Sequence, residues 1–479
     1  MSEIWRNWDR FKGHSWSTIM KTALVRLPRD VPMETLRLTN PLGPQPFLLN
    51  IPSRQQGRSI ALYVFVPPVR FPDPKSTDRA PTPNTFPVVV DFHGGGFYLG
   101  SCLEQAPFCG RLSRELSAIV ISVDYRMAPE HMFPAAIEDA DDVANALLND
   151  THASFHELRR GVAEYLQNLW YLKLGTEEER KADKVLYPPL PDINLDVSRI
   201  AFSGASSGGN IALNMALSVP ASLGLPEWPS PIPADYGTPI PLLLLYPSLD
   251  LRQLPSQRFR HERMPPVKEH KRLDIDDHLA ATYVSREMAS HPRASPGLVD
   301  TSVGLHKNAK MLLILSGQDT LWEQSEIWTR KVIAEGRGND MKTMRYEDRK
   351  HGWTTIPEIA LSSVERKTRL EVLDECIRFT KVTWQGRDPV AVMDREFGTH
   401  IEGTRPVDHG TRHSGTDGHE LAELIDMGFS AACAQAALDE NEGDVQKSVD
   451  WLVHKADEES PESRDPSKDV EEVNSAGKA

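Results

Sequence analysis

Short runs of apolar residues alternate with segments of helical periodicity through the middle of the chain. The β-like runs cover residues 60–66, 86–92, 118–123, 199–203, 239–246, 311–315 and 342–346, and the clearest helical segments cover 104–116, 135–148 and 364–384. Strands that alternate with helices in this way form a mostly parallel sheet with helices on both faces. We therefore predict an α/β fold for this part of the chain.

The pattern changes at both ends of this α/β region, which we place at residues 46–385. Residues 1–45 have helical patches that carry the aromatic side chains of Trp5, Trp8, Phe11 and Trp16. Residues 386–418 have little apolar periodicity, so we predict a linker. A compact helical pattern at 419–456 predicts a small three-helix domain, and the acidic, Ser- and Pro-rich end at 457–479 is expected to be disordered.

Composition narrows the class of protein. The net charge is −14, which gives no general affinity for nucleic acid. The four cysteines are scattered and show neither the spacing of a metal site nor a disulfide framework. The N-terminus lacks the apolar segment of a secretory signal, and no apolar run approaches the roughly 20 residues of a membrane span. We therefore expect a cytoplasmic protein without a membrane span.

Two glycine motifs suggest where the chemistry takes place. His93-Gly94-Gly95-Gly96 follows the apolar run at 86–92, and Gly204-Ala205-Ser206-Ser207-Gly208 follows the run at 199–203. The second motif opens into a helix-like stretch, which is the context of a nucleophile elbow, where small neighbours let the backbone bend sharply. The glycine run supplies backbone N–H groups for a developing oxyanion. The order of the two motifs, each after a strand, predicts acyl transfer at Ser206.

A serine nucleophile needs a base and an acid that orients the base. On a fold with such an elbow, the acid and then the histidine follow the serine along the chain. Asp319 follows the strand at 311–315 and His351 follows the strand at 342–346, so both lie at the sheet edge that carries Ser206. We assign Ser206 as nucleophile, His351 as base and Asp319 as orienting acid. The rival acids are Asp250 and Asp374, the rival histidines are His261, His270 and His291, and Asp319 has the alternative role of helix cap.

These motifs resemble the hormone-sensitive-lipase family of α/β-hydrolases over roughly residues 50–385. The matching residues are His93 to Phe97, Asp124-Tyr125-Arg126-Met127-Ala128-Pro129-Glu130-His131, Gly204 to Asn210, Asp319-Thr320-Leu321 and His351-Gly352. The resemblance implies carboxylesterase-like hydrolysis, with no cofactor and no metal, and an oxyanion hole formed by the N–H groups of Gly95, Gly96 and Ser207. It also implies that Arg126 and Glu130 are polar anchors rather than catalysts.

The chain departs from the family at two places. Ala205 and Ser207 stand where the elbow commonly has Asp and Ala, and residues 152–190 form an extra stretch that either lengthens a surface loop or reshapes the cap. The resemblance places a lid at 1–45 and 252–300, and a covered pocket favours short acyl chains. The basic run at 258–263 is either a solvated face or a lure for acidic substrates.

The segment at 419–456 resembles a ubiquitin-associated domain. Its Met427-Gly428-Phe429 loop and the apolar positions of the third helix, among them Leu452, are the matching features, and they imply weak binding of ubiquitin. The alternative is a bundle that folds and binds nothing. For the whole chain, the alternative to an esterase is a ligand-binding receptor or ubiquitin adaptor on a hydrolase fold, although the receptors of this family have lost the histidine that is present here as His351.

Overall fold

The computed structural model describes most of the α/β region and short parts of the C-terminal region. The described residues are 13–26, 29, 33, 40–41, 43–71, 84–182, 184–221, 226–262, 264, 275–397, 437–438, 440–441, 444–445, 447–449 and 451. The chain divides into two compact units, Met1–His400 and Ile401–Ala479.

An eight-stranded sheet forms the centre of the first unit. Its strands are β1 (Phe47–Pro52), β2 (Ser59–Phe65), β3 (Thr85–Phe92), β4 (Ile119–Asp124), β5 (Asn194–Ala205), β6 (Ile240–Leu245), β7 (Ala309–Gln318) and β8 (Met341–Lys350). The order is β1-β2-β4-β3-β5-β6-β7-β8. β2 pairs antiparallel with β1 and β4, and every later pair is parallel. The predicted mostly parallel α/β fold is confirmed, and the antiparallel edge strand β1 is an addition to it.

Helices cover both faces of the sheet. They are α1 (Trp16–Val25), α2 (Ala106–Leu116), α3 (Ala135–Leu148), α4 (Phe155–Lys173), α5 (Glu177–Lys181), α6 (Ser207–Met215), α7 (Ile275–Tyr283), α8 (Thr301–Gly304), α9 (Trp322–Ala334), α10 (Ser363–Trp384) and α11 (Pro389–Phe397). Successive side chains of a strand point to opposite faces, so Val88 and Val90 join one apolar cluster and Val89 joins the other. Burial on both faces explains why these strands have continuous apolar sequences.

The extra stretch at 152–190 forms α4 and α5 and covers the antiparallel edge of the sheet. The ring of Tyr165 on α4 stacks on Phe47 of β1 with centroids 3.9 Å apart. The hydroxyl of Ser154 donates to the carbonyl of Pro52 over 2.8 Å. The stretch is therefore packed structure beside β1 rather than a longer surface loop.

The first residues of the predicted linker at 386–418 contain a helix in the structure. α11 spans Pro389–Phe397, and its Met393 is buried in the cluster that contains Val89. The sequence prediction missed this helix because it averaged the polar composition over the whole segment. The other domain boundaries stay predictions.

The second unit is described only in part. Ala437 and Leu438 are buried there, and Val445, Val449 and Trp451 pack against them. Met427, Gly428, Phe429 and Leu452 lie outside the described residues, so the three-helix domain and its contact loop stay predictions. None of the helices in the described ranges is long and apolar enough to cross a membrane.

Candidate active site

Ser206 occupies a sharp turn between β5 and α6. Its φ of 56° and ψ of −116° are unusual for a residue with a side chain, and such a conformation costs of the order of 1–3 kcal/mol. The flanking glycines make the turn possible. A Cβ on Gly204 would lie 2.2 Å from the carbonyl oxygen of Gly208, and one on Gly208 would lie 1.9 Å from the carbonyl oxygen of Phe92. The backbone therefore holds Ser206 in the geometry that the elbow motif predicts.

The side chains of Ser206, His351 and Asp319 form a continuous chain of hydrogen bonds. Nε2 of His351 lies 2.9 Å from Oγ of Ser206, and Nδ1 of His351 lies 2.6 Å from Oδ2 of Asp319. Each residue directly follows a parallel strand, namely β5, β7 or β8. An ionised carboxylate only accepts hydrogen bonds, so Nδ1 carries the proton and Nε2 is left to accept the proton of the serine hydroxyl.

The rival acids are engaged elsewhere. Asp250 accepts from Arg252, and Asp374 pairs with Arg111 at 2.6 Å. Asp319 is buried, and its Oδ1 accepts from the backbone N–H of Leu321 over 2.9 Å. Asp319 therefore accepts from the backbone just before α9 with one oxygen and from His351 with the other, but it does not cap α9, whose N-cap is Leu321 without a side-chain bond. His270, one of the rival histidines, lies outside the described residues.

The glycine loop after β3 runs against the elbow. Gly95 and Gly96 have φ values of 123° and 61°, and a Cβ on Gly95 would lie 1.9 Å from the carbonyl oxygen of Leu99. A Cβ on Gly94 would lie 3.5 Å from that of Ser206. Within the described part of the chain, the backbone N–H groups of Gly95, Gly96 and Ser207 have no protein acceptor. They are available to an oxygen bound beside Ser206.

Residues 89–355, more than half of the chain, match the profile of a family described as having the alpha/beta hydrolase fold. The chain belongs to this alpha/beta hydrolase family. Its curated relatives include probable carboxylesterase 8 of Arabidopsis thaliana, which is 35% identical over 142 residues, or 29% of this chain and 35% of that protein. The carboxylic ester hydrolase LipN of Mycobacterium tuberculosis is 29% identical over 261 residues, or 53% of this chain and 54% of that protein.

The matches to these relatives are partial, since the chain spans about a third to a half of their length. Among solved structures, the hyperthermophilic esterase of the archaeon Pyrobaculum calidifontis is 24% identical with a TM-score of 0.45. The match covers 75% of this chain and 90% of that one.

Two arginines that sequence reasoning missed secure the glycine loop of this alpha/beta hydrolase. Arg26 donates to the carbonyls of Tyr98 at 3.0 Å and Ala128 at 2.6 Å, and it pairs with Glu130. Arg29 donates to the carbonyl of Gly100 at 2.7 Å. No sequence signal marks them, because their partners are mostly backbone carbonyls about 70 to 100 residues away.

Further polar and aromatic contacts surround the glycine loop and His351. Glu130 is buried against Arg26, and Arg126 pairs with Asp139 at 3.0 Å, so both are the polar anchors that the family resemblance implies. Tyr246, also missed by sequence reasoning, places its ring edge-on 5.1 Å from that of His351, and its hydroxyl bonds to that of Thr354. The sequence signal that could have identified Tyr246 is its position directly after the leucine-rich strand β6.

His93 has a structural place in the loop. It is fully buried, its Nδ1 lies 2.7 Å from the carbonyl oxygen of Gly94, and its ring stacks on Tyr125 at 4.3 Å. Burial lowers the pKa of His93 to about 4, so the ring stays neutral at physiological pH. His93 therefore orders the loop by packing and hydrogen bonding rather than by charge.

One group of side chains in the described residues has the chemistry of a cation site. The ligand atoms of His93, Cys102 and Asp124 lie within 4.8 Å of one another. Arg29 donates to both carboxylate oxygens of Asp124, at 2.8 and 3.0 Å. A guanidinium thus already neutralises the only carboxylate of the group, and a metal ion would have to displace it.

One cavity reaches the hydrogen-bonded side chains at Asp319, and a second cavity adjoins the first. One, of about 340 Å³, is lined by Asp319, His261, Phe259, Trp322, Glu323, Glu326 and Arg330. The other, of about 390 Å³, shares Phe259 and Glu323 with the first and adds Arg258, Thr320, Gln324, Ile327, Asp250, Arg252 and Gln253. Residues of the predicted lid stretch at 252–300 therefore face residues that follow β7.

Proposed function

We propose that this alpha/beta hydrolase cleaves carboxylic esters through an acyl-enzyme on Ser206. The observation that carries the proposal is the hydrogen-bonded order Ser206–His351–Asp319, with 2.9 Å and 2.6 Å between the paired atoms. A serine hydroxyl is a weak nucleophile, and an imidazole within hydrogen-bond distance activates it. The carboxylate of Asp319 fixes the tautomer of His351 and stabilises the imidazolium that forms.

The reaction has two balanced halves. Oγ of Ser206 attacks the ester carbonyl while Nε2 of His351 takes the hydroxyl proton, and the same nitrogen then protonates the departing alcohol. A water molecule next gives its proton to Nε2 and attacks the acyl-enzyme, which releases the carboxylic acid and restores Ser206. The N–H groups of Gly95, Gly96 and Ser207 stabilise the oxyanion of both tetrahedral intermediates, and each such donor is worth roughly 100- to 1,000-fold in rate.

The names of the relatives support an ester as substrate, since they include a carboxylesterase and a carboxylic ester hydrolase. The two cavities beside Asp319 are small and partly polar in their lining. We therefore infer a preference for esters with short acyl chains over long-chain triglycerides. Chain-length profiling with 4-nitrophenyl esters tests this, and maximal activity on triglyceride emulsions would contradict it.

The experiment that tests the reaction class uses the purified full chain. We expect hydrolysis of 4-nitrophenyl butyrate and covalent labelling by a fluorophosphonate probe, with the label on Ser206 by peptide mass spectrometry. Ser206→Ala removes the label and lowers kcat by several orders of magnitude. Ser207→Ala is the matched control because its proposed contribution is a backbone N–H, which the substitution keeps. Turnover by a folded Ser206→Ala protein at the wild-type rate would contradict the assignment.

We also propose that residues 419–456 bind ubiquitin weakly, with a dissociation constant of the order of tens to hundreds of micromolar. The sequence of the Met427-Gly428-Phe429 loop and the position of Leu452 support this, together with the small apolar cluster around Leu438. Titration of labelled ubiquitin with the full chain tests it. Met427→Ala with Phe429→Ala should abolish binding while circular dichroism keeps its helical signal, and a cytoplasmic location remains our expectation for such a partner.

A further inference from the structure

One guanidinium beside the candidate active site has no partner. The Nε of Arg258 is buried without a hydrogen bond, and within the described part of the chain no ion pair involves this side chain. Its segment is the short turn at Pro255–Gln257, and its side chain lines the 390 Å³ cavity with Phe259 and Gln324. A buried guanidinium nitrogen without a hydrogen-bond acceptor is costly, so its presence needs an explanation.

The described acids near Arg258 make no hydrogen bond or ion pair with it. Asp319, Asp277 and Asp250 all act on Arg258 through space, although burial, the larger effect, lowers its pKa. Each of the three is already engaged. Asp319 holds His351, Asp277 accepts from the backbone N–H of Ser256 at 2.9 Å, and Asp250 accepts from Arg252 at 2.6 Å.

The turn that precedes Arg258 is held by side chains of two other segments. Arg286 donates to the carbonyl of Arg252 at 2.6 Å and to the side chain of Gln257 at 3.1 Å. Asp277, on α7, secures Ser256 directly before the turn ends. A guanidinium presents a planar fork of donors that matches a carboxylate.

We propose that Arg258 binds an oxyanion group of the substrate, so that the preferred substrates are esters that also carry a free carboxylate. The inference rests on the proposed esterase function, which it makes more specific. Arg258 is influenced both by Asp319, behind His351, and by Tyr98, on the glycine loop. The cavity that Arg258 lines shares Phe259 and Glu323 with the cavity that Asp319 lines, so an anionic group bound by Arg258 lies close to the acid of the site. Glu323 also lines this cavity as an exposed side chain, so the attraction for an anion is local to Arg258.

A matched pair of esters tests the proposal. Methyl pentanoate and monomethyl glutarate differ in that a carboxylate replaces the terminal methyl of the acyl chain, and proton release reports the hydrolysis of both. Arg258→Gln should lower the ratio of kcat/KM for the glutarate ester over the pentanoate ester about 10-fold or more, because a charge-assisted hydrogen bond is lost. Arg258→Lys should give an intermediate ratio, since it keeps the charge but not the fork.

Arg260→Gln is the control, because it removes the same charge from an exposed side chain two residues away. We expect it to change the ratio by no more than about twofold, as is usual for a surface charge. An unchanged ratio in Arg258→Gln, or an equal change in Arg260→Gln, overturns the proposal. Circular dichroism establishes that each variant is folded.

A binding measurement separates this proposal from the proposed function. In Ser206→Ala protein, calorimetry should show that monomethyl glutarate binds more tightly than methyl pentanoate, and that Arg258→Gln removes the difference. If the wild-type protein hydrolysed neither ester, the esterase proposal would fail, and the calorimetric difference would still decide the role of Arg258. Equal binding of the two esters to Ser206→Ala protein overturns the role of Arg258 whatever the hydrolysis assay shows.

Discussion

Asp319 and Asp91 are both buried carboxylates that belong to the same sheet, yet their surroundings are opposite. Asp319 follows β7 and accepts from the imidazole of His351, which reaches Ser206 at the sheet edge. Asp91, within β3, accepts from hydroxyl, thiol and amide donors inside the sheet: Ser203 at 2.6 Å, Ser122 at 3.2 Å, Cys109 at 3.3 Å and Gln105 at 3.3 Å.

The comparison shows what makes a buried carboxylate useful for chemistry. An imidazole exchanges protons near neutral pH and can pass them to a third group, whereas hydroxyl, thiol and amide donors do not. Burial without a cationic partner raises the pKa of Asp91 to about 6. This shift reflects the unfavourable free energy of burying the ionised carboxylate and not a role in catalysis. A perturbed pKa is therefore a poor guide here, and the identity of the neighbouring donor is the better one.

The largest expected effect separates the two carboxylates by rate. Asp319→Asn should lower kcat on 4-nitrophenyl butyrate about 1,000- to 10,000-fold, because His351 loses its correct tautomer. Asp91→Asn removes the same charge at a similar depth and should lower kcat no more than about 10-fold. Steady-state kinetics on both variants gives the comparison, with His351→Ala as a reference that is at least as inactive as Asp319→Asn. Similar losses in the two Asn variants would remove the distinction.

The next effect separates them by stability. Asp91→Ala leaves the buried donors of Ser203, Ser122 and Gln105 without an acceptor, which should reduce the free energy of unfolding by about 2–4 kcal/mol. Urea denaturation followed by circular dichroism measures the loss. Ser113→Ala serves as a control, since it removes a single buried hydroxyl that donates to the carbonyl of Ala118 at 2.8 Å. A smaller loss for Asp91→Ala than for this control would contradict the structural role of Asp91.

A third expectation concerns pH. The folded-state pKa of Asp91 is raised from 3.8 to about 6, so its neutral form favours the folded state below pH 4, and this contribution is lost as the pH rises through 6. The lost contribution is of the order of 3 kcal/mol. His93 acts in the opposite direction, because its pKa is lowered to about 4. Comparing wild type with Asp91→Asn removes the effect of His93.

The difference in unfolding free energy, wild type minus Asp91→Asn, should therefore fall between pH 4 and pH 6 and be flat above pH 7. Urea titrations at four pH values across this range measure it. A difference that is independent of pH would mean that Asp91 has the same pKa in the folded and unfolded chains.

The smallest expected effect on ester hydrolysis comes from removing the residues at the end of the first unit and beyond it. Truncation after Phe397 should leave ester hydrolysis within about twofold, because Ser206, Asp319 and His351 all lie upstream. Truncation after Trp384 also removes α11 and the buried side chain of Met393, which should cost about 2–3 kcal/mol of stability. Thermal unfolding of the two truncated proteins tests this. Equal stabilities would restore the linker boundary that the sequence alone predicts at 386.

The sequence was sufficient for the parts of the site that depend on strand ends and glycine turns. Because parallel strands end at one edge, Ser206, Asp319 and His351 could be brought together without knowing any contact between them. β1 was missed since a six-residue strand beside a proline-rich region has no distinctive periodicity. The stretch at 152–190 was recognised as an addition to the family, but its packing against β1 depends on the ring of Tyr165, which no local pattern reports.

The rest of the site depends on contacts between distant residues. Arg26, Arg29 and Tyr246 are single residues whose partners lie far away in the sequence, and the Nε of Arg258 makes no hydrogen bond to any described residue. The basic run at 258–263 was recognised as either a solvated face or a lure for acidic substrates. Only three-dimensional placement separates Arg258, which lines a cavity, from the exposed Arg260.

The long sequence separations between contacting residues also determine when parts of the site can form during synthesis on the ribosome. Arg26 leaves the exit tunnel 72 residues before Tyr98 and 104 residues before Glu130. At a synthesis rate of about 5–20 residues per second, the partners of Arg26 are therefore made several seconds after Arg26 itself. Ser206 then waits for His351, 145 residues later. A nascent chain that has completed the elbow thus still lacks the proposed base, and the proposed hydrolysis can begin only when nearly the whole first unit has been made.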